Sequence, residues 1–307
     1  MTKPLNFATR PSALARWQTQ SVISKLKAQW PDLSCTETII TTKGDRVLDK
    51  PLPEIGGKGL FTYELELEIL EGSVDAAVHS LKDLPTEDAP GLIVDIYPQR
   101  ADARDVWICP NGYSLDDLPA GSVVGTSSTR RGAQLLACRP DLKVESIRGN
   151  VDTRIRKAVE GQYDAIILAA AGVNRLGLDE HITQYLPFEV MLPAPGQGAL
   201  GIQYRAGDAE TQQYLKAIDH IPTRLAVTAE RAFLGALGGG CSLPVGAFAT
   251  VDGDTIQLQG VIAAPDGSRV LRVSDSDTDA QSLGKTLAQK SLAEGAGDLL
   301  ALTVGVK

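Results

Sequence analysis

The 307-residue chain is poor in several residue types, and each scarcity excludes something. Aromatic residues make up only 5% of it, too few for a stacking platform for single-stranded nucleic acid. Basic residues do not predominate: 30 Lys and Arg stand against 38 Asp and Glu, a net charge of -8, so long-range attraction to DNA or an anionic membrane is not expected. Only four cysteines occur, Cys35, Cys109, Cys138 and Cys241, far apart and with no CxxC pair. That spacing argues against a disulfide framework and a zinc site, so no metal is expected. No apolar run approaches the roughly 18 residues of a membrane span, since the longest is 165–171. The N-terminal MTKPLNFATR carries no apolar core of a signal peptide, which reads as a cytoplasmic protein with reduced thiols. GxxxxGK[ST] is absent and no GxGxxG follows a strand and opens a helix, which removes the common nucleotide folds.

What is present is an α/β pattern repeated twice and followed by something different. Ser12 can cap a helix running to about 28, and 34–40 reads as a strand rich in β-branched residues. The stretch 59–71 reads as a helix stopped by Gly72, and 75–78 and 92–96 read as short buried strands. A second unit starts near 104: a strand at 122–124 running into four hydroxyls, 126–129, at the start of a helix that continues to about 138, a strand at 144–147, a helix over 151–160 and a buried strand at 165–169. The Pro- and Gly-rich 192–198 reads as a connector or hinge. Beyond about 220 a helix, alternating segments at 257–262 and 269–273, and a closing helix at 280–294 indicate an α+β domain. Cys35, Cys109 and Cys138, on or beside regular elements, read as core thiols.

Three local signals point to chemistry. Residues 126–157 hold eight basic side chains against three acidic ones inside an acidic chain. Arg130 and Arg131 fall in the first turn of a helix, where the macrodipole disfavours cations, and Arg148 and Arg154 flank the next strand-to-helix turn. A solvated basic face is the commoner meaning of such a run, but arginines at several strand-to-helix turns describe an anion site. The second signal is His79-Ser80-Leu81-Lys82-Asp83 at a strand end, with Asp83 a candidate general base and Lys82 an anion partner. The third is Cys241 behind three glycines, a poor place to bury a thiol and a good one to present it.

These pieces resemble the porphobilinogen deaminase (hydroxymethylbilane synthase) family. The likeness is carried by ATRPSALARWQ (8–18), GGKGLFTYELE (56–66), AVHSLKDLPTE (77–87), VGTSSTRRGAQL (124–135), RGNVDTRIRK (148–157), AIILAAAGVNRLGL (165–178), LPAPGQGALGIQ (192–203) and AERAFLGALGGGCSLPVGAFA (229–249). Departures are Pro11, polar in many relatives, and Glu54, basic in some. The resemblance implies two α/β lobes of the type II periplasmic-binding-protein kind plus a smaller C-terminal α+β domain. The boundaries would be 1–98 with 199–216, 99–198, and 217–307.

It further implies a monomeric transferase of tetrapyrrole and heme biosynthesis. Four porphobilinogen molecules would be deaminated and joined head to tail on a covalent dipyrromethane cofactor, and hydroxymethylbilane released by water. The cofactor would be held by a thioether to Cys241 and bound by Ser80, Lys82, Asp83, Thr126, Ser127, Ser128, Arg130, Arg131, Arg148 and Gly149. Arg10, Ser12, Arg148, Arg154, Ala169, Arg175, Gln197 and Gly198 would bind substrate, with Lys58 on a flexible loop. Asp83 would be catalytic. The alternative is a non-catalytic two-lobed anion-binding protein, which needs neither Cys241 nor Asp83.

Overall fold

The structure, a computed structural model, describes residues 4–46, 61–239 and 243–304. Two units emerge: residues 1–101 with 199–224, and residues 102–198 with 225–307.

The first unit is built on a five-stranded sheet of β1 (Leu5–Thr9), β2 (Cys35–Ile39), β3 (Ala76–Ser80), β4 (Leu92–Ile96) and β10 (Leu200–Arg205), in the order β2-β1-β3-β10-β4. β1 runs parallel to both neighbours, whereas β10 is antiparallel to β3 and β4. Helix α1 (Ala13–Gln29) starts where Ser12 accepts the Ala15 N–H at 3.3 Å. Its Val22, Ile23 and Leu26, spaced for one helical face, pack with Leu5, Phe7 and Ile202. A short α2 (Lys43–Arg46) precedes α3 (Tyr63–Glu71), whose Leu65 and Ile69 cover Ala8, Ala77 and Leu92 on the sheet's other face. A last helix of this unit, α7 (Ala209–Leu215), follows β10.

The second unit begins with β5 (Asp105–Ile108), buried at every residue, and continues through β6 (Val123–Gly125), β7 (Lys143–Glu145), β8 (Ala165–Ala169) and β9 (Gln184–Tyr185). The order is β7-β6-β8-β5-β9, with β6 parallel to β7 and β8, and β5 antiparallel to β8 and β9. The two sheets therefore share one plan, with the antiparallel strand in the same place. That plan repeats without any repeat in the sequence. Helices α4 (Thr129–Cys138), α5 (Val151–Val159) and α6 (Ala170–Arg175) follow β6, β7 and β8.

The remainder of this unit is an antiparallel sheet of β11 (Val245–Asp252), β12 (Thr255–Ala263) and β13 (Val270–Asp277), with helices α8 (Ile221–Ala236), α9 (Ala280–Ala293) and α10 (Ala296–Val304). Phe233, Ile256, Leu258, Leu283 and Leu287 fill its core. Strands β5 and β11 and helix α10 exceed the sequence reading: a four-residue strand opening on Asp105 shows no periodicity. Cys138 is exposed rather than core, whereas Cys109 is buried and Cys35 lies between the two. No described helix is long and apolar enough to cross a membrane.

The stretch 192–198 differs from a loose connector. Gln134 brackets Leu192, donating to its carbonyl at 3.0 Å and accepting from its N–H at 2.9 Å. Fully buried Glu230 accepts the N–H groups of Gly196 (2.7 Å) and Ala249 (2.8 Å). The segment is thus bonded to α4 on one side and to the C-terminal helix and sheet on the other.

Candidate functional site

In the first unit the candidates gather at the C-terminal ends of the adjacent parallel strands β1 and β3. Arg10 follows β1 and Ser12 caps α1. Ser80 ends β3, where its hydroxyl accepts from the Gln18 amide at 2.8 Å. Lys82 and Asp83 lie in the single 3-10 turn that comes next, Asp83 exposed. The Arg10 guanidinium lies 4.3 Å over the Phe61 ring and donates through Nε and Nη2 to Asp45. Burial alone would raise the Asp45 pKa, but the hydrogen bonds and charge of Arg10 together with the bonds from Thr42 lower it below the ordinary carboxylate value. Beside them His79 is buried with Nε2 lacking a partner, and burial lowers its pKa to about 4. A neutral imidazole is therefore the neighbour of Arg10 at neutral pH.

In the second unit the candidates lie at the ends of β6, β7 and β8, which are mutually parallel and so share one sheet edge. After β6 each hydroxyl has a local task. Thr126 Oγ1 accepts the Ser128 N–H (3.2 Å), and Ser127 Oγ bonds Ile147 through both its carbonyl (2.7 Å) and its N–H (3.1 Å). Ser128 caps α4 by accepting from the Arg131 N–H (3.4 Å). After β7 come Arg148, half-buried, and Gly149 at φ +116°, where a Cβ would lie 2.7 Å from Thr153. The Arg154 Nε donates to the Gly149 carbonyl at 2.7 Å. After β8, Ala169 opens α6 and Arg175 closes it, donating to the Gly198 carbonyl at 2.8 Å. Burial lowers the Arg175 pKa to about 10.

Arg130 and Arg131 turn inward onto Asp105, which is fully buried at the start of β5. Asp105 Oδ2 accepts from Arg130 Nη1 (2.7 Å); Oδ1 accepts from Arg131 Nε (3.0 Å) and Nη2 (2.7 Å) and from the Gln197 amide (2.9 Å). Burial alone would raise the Asp105 pKa, but the two guanidiniums hold it far below the carboxylate range. Two cations on one carboxylate leave a surplus of positive charge, and the buried Arg130 Nε has no partner. These features suit a further anion. Nothing in the sequence alone singles out Asp105. Its signal was an acidic residue opening an apolar DVWI run, recognisable only once β5 is placed beside α4.

Cys241 and Lys58 lie outside the described residues. Among those described, no group of three or more His, Cys, Asp or Glu side chains is placed to hold a metal.

Residues 5–213 match the family model described as porphobilinogen deaminase, dipyromethane cofactor binding domain, and 224–293 match the porphobilinogen deaminase C-terminal domain. The chain belongs to the porphobilinogen deaminase family. Curated members include the porphobilinogen deaminase of Brevibacillus brevis, 51% identical over 95% of both chains. Those of Pelotomaculum thermopropionicum and Moorella thermoacetica are each 48% identical, covering 98% and 96% of this chain and 97% and 95% of their own. The two porphobilinogen deaminase matches leave 214–223 between them, and α8 begins within that interval.

Proposed function

We propose that this chain is a hydroxymethylbilane synthase, joining four porphobilinogen molecules on a dipyrromethane thioether-linked to Cys241 and releasing hydroxymethylbilane by hydrolysis. In this reading it is a cytoplasmic monomer with domains at 1–98 with 199–216, 99–198 and 217–307, whose partner is its small-molecule substrate. The observation that carries it is the gathering of guanidiniums on the second unit, where Arg130 and Arg131 share a single carboxylate, Arg148 and Arg154 follow β7 and Arg175 closes α6.

The donor set fits the cofactor. Each pyrrole ring carries an acetate and a propionate, and arginine forks are the side chains that grip carboxylates with two bonds. Arg130, Arg131, Arg148 and the hydroxyl-rich turn Thr126–Ser128 would hold the cofactor, with Ser80, Lys82, Asp83 and Gly149. When bound, the cofactor supplies the primer from which the chain grows. Arg10, Ser12, Arg148, Arg154, Ala169, Arg175, Gln197 and Gly198 would bind substrate, the arginines by its carboxylates. Asp83 would then stabilise positive charge developing on pyrrole nitrogen and carry protons as ammonia leaves. An exposed carboxylate on a rigid strand-end turn suits both tasks, because the species it faces are cationic.

The test is the intact mass of the purified protein with peptide mapping at Cys241. An adduct of two linked pyrrole units on Cys241, absent from Cys241→Ser, is the expected result. If the thiol is bare and neither porphobilinogen nor hydroxymethylbilane loads it, the non-catalytic anion-binding reading replaces this one.

A further inference from the structure

Arg10 is already engaged by a carboxylate of its own chain, and the details of that pair differ from those at Asp105. The Asp105 carboxylate is fully buried and its two arginines are nearly so, with side-chain exposures of 4% and 8%. At Arg10 and Asp45 the corresponding figures are 24% and 12%. Asp45 has a second set of donors: its Oδ2 accepts the Thr42 N–H at 3.1 Å and the Thr42 hydroxyl at 2.8 Å. Leaving Arg10 would therefore not strand the carboxylate. Arg10 has a second support as well, since its guanidinium carbon lies 4.3 Å over the Phe61 ring. One carboxylate can be exchanged for another there with little rearrangement.

We propose that Asp45 is a positioning residue that occupies the place of a ligand carboxylate on Arg10 and is displaced when substrate binds. This rests on the reading of Arg10 as a substrate-binding residue. It follows that Arg10 contributes less to net affinity than an unpaired arginine would, because each binding event breaks one ion pair to form another. What the pair secures is orientation: the guanidinium is already aligned for two-point recognition before substrate arrives.

The two consequences have opposite signs in a variant. In Asp45→Asn the guanidinium keeps Phe61 and loses its competitor. KM for porphobilinogen is expected to fall on the order of tenfold, about 1.4 kcal/mol, with kcat within about twofold of wild type. A KM that is unchanged or raised overturns the proposal, because a merely structural Asp45 would loosen Arg10 when removed. A second measurement needs no variant. The Asp45 carboxyl 13C resonance of the wild-type protein, followed during a succinate titration, is expected to shift as Arg10 leaves it; an unmoved resonance also overturns the exchange. Wild-type protein that consumes no porphobilinogen defeats the functional reading instead, and the succinate titration still decides whether Asp45 yields Arg10 to a carboxylate.

Discussion

Replacing Asp105 by Asn tests how much the buried arginine pair depends on its single counter-ion. The substitution keeps the volume and leaves one oxygen, which can still accept from Arg131 or Gln197. The other oxygen becomes an N–H2 group facing the Arg130 Nη1 donor, now 2.7 Å from a carboxylate oxygen. Two guanidiniums, on residues 4% and 6% exposed, then share no negative charge. Removing one partner of a buried ion pair costs about 3–5 kcal/mol. For a body of this size each kcal/mol lowers Tm by about 2–4 °C, so a fall on the order of 10 °C is expected by scanning calorimetry at neutral pH. The loss should fall on the transition of the second unit, where all of these residues lie. The pH dependence has a fixed sign. The folded-state pKa is depressed, so the contribution is complete above the unfolded carboxylate value of about 3.9 and fades as pH falls below it. The wild-type and variant Tm values should therefore converge in acid. A variant within roughly 2 °C of wild type at neutral pH would refute the reasoning, and would mean the arginines are neutralised elsewhere.

Asp83→Asn should leave Tm unchanged, since the side chain is exposed in a short turn, while cutting porphobilinogen turnover by about 10²–10⁴-fold; near-normal turnover would remove Asp83 from the mechanism. Gly267→Ala should destabilise the second unit by about 1–3 kcal/mol in urea melts. Gly267 sits at φ +74° in the β12–β13 turn, and a Cβ there would lie 2.5 Å from the Ala137 backbone nitrogen in α4. His79→Gln should flatten the acid dependence of the first unit. The buried imidazole, with a pKa of about 4, must stay neutral, whereas the unfolded one binds a proton below about 6.5. Wild-type stability therefore declines as pH falls from 6.5 to 4, by about 3 kcal/mol in all, and an equally steep decline in the variant would exclude His79 as the source.

Much of this was legible in the sequence because the signals are local. Ser12 and the hydroxyl run 126–129 announce α1 and α4 by capping chemistry, Ser128 being the hydroxyl that caps α4, and Gly72 ends α3 at φ +79°. The apolar run at 165–169 is β8 at the residues expected. The two successive α/β units followed from the alternation of such elements. What escaped depends on distant partners. Asp105 meets Arg130, Arg131 and Gln197 from 25, 26 and 92 positions away, so the arginines read as an open anion site while part of their charge is met internally. Unfavourable placement of cations at a helix start pointed to a negative partner, and it could not say whether that partner belonged to the chain. Likewise 192–198 has hinge composition, yet Gln134 and Glu230 hold it from helices elsewhere in the fold.

The strand order of the first sheet bears on how the chain can be made. β4 touches that sheet only through β10, and β10 begins at Leu200, just over a hundred residues after β4 ends. At a synthesis rate of about 5–20 residues per second, the first sheet waits on the order of 5–20 s for the strand that completes it. The second sheet suffers no such delay, because its five strands all lie between Asp105 and Tyr185. The later-made sheet can thus be paired first, leaving β3 and β4 of the earlier one as open edges on the ribosome. That interval is when the nascent chain is most exposed to mispairing, and when a holding chaperone would matter most.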